Sequence, residues 1–85
     1  MDKKKIKSLI LWWKETDTQG VPCDEYLFNP LMNAFGEDVN EILSYLNEMN
    51  IEDLRIISGC FEDIYRKFMT DEVWDALEAL EQKIA

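Results

Sequence analysis

The sequence predicts an all-α fold, a compact bundle of four to five short antiparallel helices. Apolar residues recur at spacings of three and four along most of the chain, the period of a helix with one buried face. Nowhere do four or more residues alternate convincingly in the pattern of a strand. Glycines, prolines and capping residues also cut the chain into pieces of helical length. At 85 residues this is one domain, residues 1–85, with a modest core and little room for an enzyme cleft.

The first helix is expected over 3–16, with Ile6, Leu9, Ile10 and Trp13 on one face, Trp12 at its edge and Leu11 pointing away. Adjacent residues diverge by 100°, so one ring of the Trp12-Trp13 pair fills the core and the other covers a neighbouring helix. Gly20 and Pro22 make "TQGVP" a turn. A second helix begins near Cys23 or Asp24, with Asp24 and Glu25 suited to its positive end. Pro30 kinks or restarts it, Asn29 serving as the cap with proline in first position, and Gly36 stops it. The third helix, 38–49, buries Val39, Ile42, Leu43, Leu46 and Met49. The fourth starts at the Asn50 cap and turns Leu54, Ile57, Phe61, Ile64 and Phe68 inward. The fifth follows Thr70 and buries Val73, Ala76, Leu77, Leu80 and Ile84.

Hydrophobic residues make up 47% and charged residues 32%, a globular rather than a disordered composition. No apolar run approaches the ~20 residues that span a bilayer. The opening "MDKKKIKSLILWW" has the basic and apolar order of a signal peptide. No small-residue cleavage site follows, and Lys14 and Glu15 close the run, so it is read as a cytoplasmic helix. The net charge of −9 is uneven. Residues 1–14 hold five lysines against one aspartate, a net of +4, and residues 15–85 hold four basic against seventeen acidic residues, a net of −13. Such a body repels nucleic acid and anionic membrane, and it speeds encounter with a basic partner.

The inventory for chemistry is short. Histidine is absent, which removes the usual general base near neutral pH. No glycine-rich phosphate loop, nucleophile elbow or calcium loop occurs. Two cysteines, Cys23 and Cys60, without Cys-x-x-Cys or histidine, make neither a disulfide framework nor a zinc site. The expectation is a non-enzyme with no cofactor, no metal, no small-molecule substrate, and no direct contact with nucleic acid or membrane.

Surface remains. On the last helix Trp74 lies outside the buried stripe, with Asp71 and Glu78 as its helical neighbours and Glu81 one further turn along. An aromatic ringed by carboxylates suits a basic protein partner, although a small domain also has reason to pack such a ring on its first helix or its chain ends. On the third helix Tyr45 sits at the border of the buried stripe between Glu41 and Glu48, read equally as an interface residue or a partly buried core tyrosine. These acids, with Glu37, Asp38 and Asp53, have no basic neighbour at helical spacing. The candidate partner-binding residues are therefore Glu37, Asp38, Glu41, Tyr45, Glu48, Asp71, Trp74, Asp75 and Glu78.

The acidic pairs of "NIEDLRIISGCFEDIYRKF", residues 50–68, read differently. Glu62 precedes Arg66 and Asp63 precedes Lys67 by one turn, and Glu52 precedes Arg55 by three residues. Acid before base at this spacing stabilises a helix by ~0.2–0.5 kcal/mol per pair. This segment is expected to be a core helix with a solvated ion-pair face and the least suited to be a site. Gly59 within it costs ~1 kcal/mol relative to alanine, which points to a break at Ser58-Gly59 or to close approach of another backbone.

Two stretches, "CDEYLFNPLMNAFGED" and "DLRIISGCFEDIYRKFMTDEVWDALEAL", resemble the small acidic helical immunity proteins of bacterial polymorphic-toxin and contact-dependent growth-inhibition systems. The resemblance spans about residues 20–84 and lies in the order of helices and turns. It implies a non-catalytic cytoplasmic protein that binds a cognate toxin domain, often a nuclease, and blocks its active site or a nearby surface. Interfaces of that kind are particular to each pair, so the resemblance assigns no residue. The alternative is a generic acidic helical adaptor or regulatory subunit for a basic protein.

Overall fold

The computed structural model describes all residues, Met1–Ala85, and contains helices and turns without a strand. Helix α1, Lys3–Glu15, starts where Asp2 Oδ1 accepts from the Lys5 amide at 3.0 Å, which supplies one of the first-turn amides with its missing partner. Ile6 and Ile10 are buried, Leu9 and Trp13 pack beside them, and Leu11 faces outward, as its angle on the helix requires. Trp12 stacks on Tyr26 at 6.4 Å between centroids and so covers the neighbouring helix as expected, but Trp13 is only half-buried against the edge of the core rather than filling it.

The second helix departs from expectation at Pro30. A π-turn, Asp24–Phe28, runs without interruption into α2, Asn29–Phe35. Asn29 is not a cap: it is helical at φ −63° and ψ −46°, and its amide donates to the Asp24 carbonyl five residues back. Proline offers no amide and its ring crowds the carbonyl four residues earlier, and the widened turn accommodates both defects without ending the helix. Gly36, at φ +79°, then stops α2 in a backbone conformation that glycine adopts freely.

Asp38 caps α3, Val39–Glu48, and Asn50 caps α4, Ile51–Ile57, each through a side-chain oxygen on the amide three residues on. The expected break at Ser58-Gly59 is a single tight 3₁₀ turn, Ser58–Cys60, after which the chain continues as α5, Phe61–Phe68. What approaches Gly59 is a ring rather than a backbone. A Cβ added there would stand 2.8 Å from Cε1 and 2.9 Å from Cε2 of Phe28, and nearer still to Cζ. Met69, left-handed at φ +49°, reverses the chain, and Thr70 caps α6, Asp71–Ile84.

Counting the π-turn with α2 and the 51–68 rod as single elements, five helices surround one core. Ile6, Leu31, Ile42, Leu54, Ile64 and Leu80 bring every helix into it, and no polar or charged residue is buried. Two pairs of sequence neighbours, α1 with α2 and α5 with α6, pack antiparallel, as expected. The Asp2 amide reaches the Ala34 carbonyl at 2.8 Å, and Tyr65 of α5 meets Trp74 of α6. The pairs remote in sequence do not follow that rule. Met1 lies at Glu41 near the start of α3, and Lys14 lies at Asp53, just past the end of α3 in the first turn of α4, so α1 and α3 run in the same direction. Lys83 donates to the Asn47 carbonyl, which puts the C-terminal ends of α6 and α3 together.

The Phe28–Gly59 contact yields a sign reversal that can be measured. In an ordinary helix Gly→Ala stabilises by ~1 kcal/mol. Gly59→Ala is expected instead to lower the urea midpoint, by the ~1–3 kcal/mol of an overpacked core, and Phe28→Leu in the same chain to restore part of the loss. A G59A midpoint at or above the parent's would show that the ring slides aside.

Candidate protein-binding surface

The nine candidate residues fall in different places. Glu37, Asp38 and Glu41 cluster at the start of α3, but they do not lack partners. Lys67, from the end of α5, reaches Glu37 Oε1 at 2.9 Å and the Gly36 carbonyl at 3.1 Å. Asp38 is spent as the cap of α3, and Glu41 lies 3.3 Å from the terminal ammonium of Met1. Helical spacing could not show these counter-ions, because they come from residues about thirty to forty positions away.

The same exchange of partners alters the 50–68 segment. Glu62 does hold Arg66, whereas Asp63 sits 4.0 Å from Arg66 rather than on Lys67. Glu52 pairs with Lys14 at 3.5 Å, and Arg55 donates to the Ile84 carbonyl at 3.4 Å. Tertiary contacts thus draw Lys67 and Glu52 out of two of the three local pairs, and Asp63 turns to Arg66 on its own helix. Exposed pairs of this kind contribute only ~0–1 kcal/mol each, so the difference lies in orientation more than in stability.

Tyr45 and Glu48 line a groove of about 490 Å³ between α1 and α3, with Lys7, Leu11 and Lys14 on the opposite wall. Asp53 Oδ1 at its end is closed off from solvent, and the Lys14 ammonium lies 2.5 Å from it. Contact with Asp53 raises the Lys14 ammonium above the ordinary lysine range. Burial, and then the charge of Asp53, pushes the Tyr45 phenol up. Lys3 Nζ also lies 5.8 Å from the Tyr45 ring centroid, while Glu48 makes no ion pair.

On the other side of the molecule, α5 and α6 enclose a groove of about 400 Å³. Its floor is Phe61 and Leu77, both buried. Tyr65 meets Trp74 edge to face at 4.9 Å and 68°, a favoured aromatic geometry, and Trp74 stays 48% exposed. Trp74 thus packs on α5, not on the first helix or the chain ends. Glu62 and Arg66 form one rim and neutralise each other. Glu78 and Glu81 form the other rim, and neither has an ion pair or a side-chain hydrogen bond. Asp71 and Asp75 are exposed further along α6 and likewise carry no counter-ion within 4.0 Å.

The structure therefore brings Trp74 and Glu78 together and adds Phe61, Glu62, Tyr65, Arg66 and Glu81. Four of these additions come from the segment that the sequence marks as least suited to a site. The signal for them is the short 69–70 connection: a tight helical hairpin must set Tyr65 against Trp74.

Comparison with family models, with curated proteins and with solved structures found no match to this chain. No three of its Cys, Asp and Glu side chains converge as a metal-holding group. No helix is long and apolar enough to cross a membrane.

Of the two thiols, Cys23 is exposed and Cys60 is fully buried. Burial, with Asp63 and Asp24 adding repulsion, pushes the Cys60 thiol up to about 12, far from a thiolate nucleophile. A folded pKa raised above the unfolded value contributes stability that is complete below the unfolded pKa and is lost as pH rises through the folded one. Unfolding free energy should accordingly fall across pH 9 to 12, and Cys60→Ala should flatten that slope in urea titrations. A thiol-specific reagent at pH 8 should label Cys23 at once and Cys60 only after denaturant is added.

Proposed function

We propose that this chain is a cytoplasmic immunity protein, a non-catalytic binder that neutralises a basic, nuclease-type bacterial toxin domain. One observation carries the binding half of this reading: the half-exposed Trp74 stands beside a groove whose α6 rim presents carboxylates without counter-ions. A large ring packed on a rigid neighbour supplies contact area at small entropic cost. The surrounding acids favour a partner that carries the positive surface a nuclease offers to nucleic acid. The toxin half rests on the resemblance of the helices and turns over residues 20–84.

The α6 face is a better contact than the start of α3, because the acids of α3 are held by Lys67, by the chain's own ammonium and by capping. Association is expected to be one to one, with a rate that drops steeply as salt rises.

The test uses the full chain and a purified basic nuclease domain from the same bacterial locus. Trp74→Ala is expected to weaken binding by at least ~2 kcal/mol, roughly thirtyfold in Kd, with the helical circular dichroism unchanged. The double change Asp75→Lys and Glu78→Lys should slow association by about tenfold at low salt and remove most of its salt dependence. Retained affinity and protection in both variants, with loss in Glu41→Lys/Glu48→Lys instead, would move the contact to α3. Absence of binding by the unaltered chain would sink the toxin reading.

A further inference from the structure

The groove between α5 and α6 is more selective in its chemistry than a generally acidic surface. Its floor of Phe61 and Leu77 is apolar and suits the methylene stem of a long side chain. The Trp74 indole is braced by the edge-to-face contact with Tyr65 at 4.9 Å, so the ring is positioned before any ligand arrives. Glu78 and Glu81, three residues apart on α6, share one face of that helix and have no cation of their own. Arg66 on the far rim is already taken by Glu62, which leaves the unanswered charge on the α6 side. A space of about 400 Å³ is enough for one extended side chain rather than a segment of secondary structure.

We infer that this groove takes a single arginine side chain of the partner, its guanidinium stacked on Trp74 and paired with Glu78 and Glu81. The inference rests on the protein-binding reading above and names its anchor. Arginine fits better than lysine for a physical reason. The guanidinium is planar, stacks on an indole, is weakly hydrated, and forks toward carboxylates, whereas an ammonium is a compact and strongly hydrated charge. The groove between α1 and α3 has less demand for a cation, because its own wall carries Lys7 and Lys14, and Lys14 is paired with Asp53.

The experiment is a nuclear magnetic resonance titration of the full, isotope-labelled chain with the blocked tripeptide Gly-Arg-Gly. Gly-Lys-Gly at equal ionic strength is the comparison. The arginine peptide should shift the Trp74 indole N–H, the Tyr65 ring and the α6 amides saturably, and bind at least about threefold tighter than the lysine peptide. Trp74→Leu, and Glu78→Gln with Glu81→Gln, should each abolish that preference. Equal binding of the two peptides, or no saturable shift at α5 and α6, overturns the arginine anchor. If Trp74→Ala still disrupts toxin binding in that case, the wider surface stands and only the anchor falls. If the arginine peptide binds as expected while Trp74→Ala leaves toxin binding intact, the groove is an arginine site and the toxin contact lies elsewhere.

Discussion

The ring of Phe28, lying where any side chain at residue 59 would go, is the contact on which the remaining architecture depends. The π-turn before Pro30 places that ring on the inner side of its helix, and Gly59 lets the 51–68 rod come close enough to receive it. The rod tightens into a 3₁₀ turn at the same point, so α4 and α5 leave it as separate segments. Two local irregularities, a widened turn and a tightened one, therefore face each other across one aromatic ring. Neither would be favoured alone, since both depart from the geometry that gives the best helical hydrogen bonds. Together they fix α5 where Tyr65 can meet Trp74.

Charge is organised by a different logic on each side of the molecule. At the starts of α3 and α4 the acids are occupied, Glu37 by Lys67, Glu41 by the Met1 ammonium and Asp53 by Lys14, whereas Glu48 at the end of α3 makes no ion pair. These contacts run between elements and guide how α1 and α5 settle against α3, although screening by salt keeps each of them weak. On α6 the carboxylates of Asp71, Asp75, Glu78 and Glu81 face solvent with nothing to oppose them. The fold uses one set of acids and leaves the other free. Stability comes from neither, since the buried residues are all apolar.

The all-α class, the caps at Asp38, Asn50 and Thr70, and the inward faces were legible because each depends on residues within one or two turns. Periodicity placed Ile42, Leu46, Leu54, Val73 and Leu77 inside without any tertiary knowledge. Asn29 misled because a cap and a π-turn are both ways of coping with Pro30, and the choice between them is made by what Phe28 packs against. The counter-ions of α3 were illegible for a related reason: the i,i+4 rule sees one helix, and these pairs join two. Trp74 could be singled out from its angle on α6, but the groove beneath it belongs jointly to α5. Antiparallel order held for the sequence neighbours α1/α2 and α5/α6; α1, α3 and α6 meet through longer paths that impose no such direction.

The outer edge of α6 has a consequence for how such a protein can change over generations. Asp75, Glu78 and Glu81 are exposed and make no ion pair, while Val73, Leu77 and Leu80 on the opposite edge of the same helix are buried. Substitutions at positions that share no partner with the core add to stability almost independently, and most cost little. Mutational drift can therefore rewrite the charge pattern of this edge without passing through an unfolded ancestor. A lineage built on this helix can change its surface charge one residue at a time, with the bundle beneath it as an invariant platform.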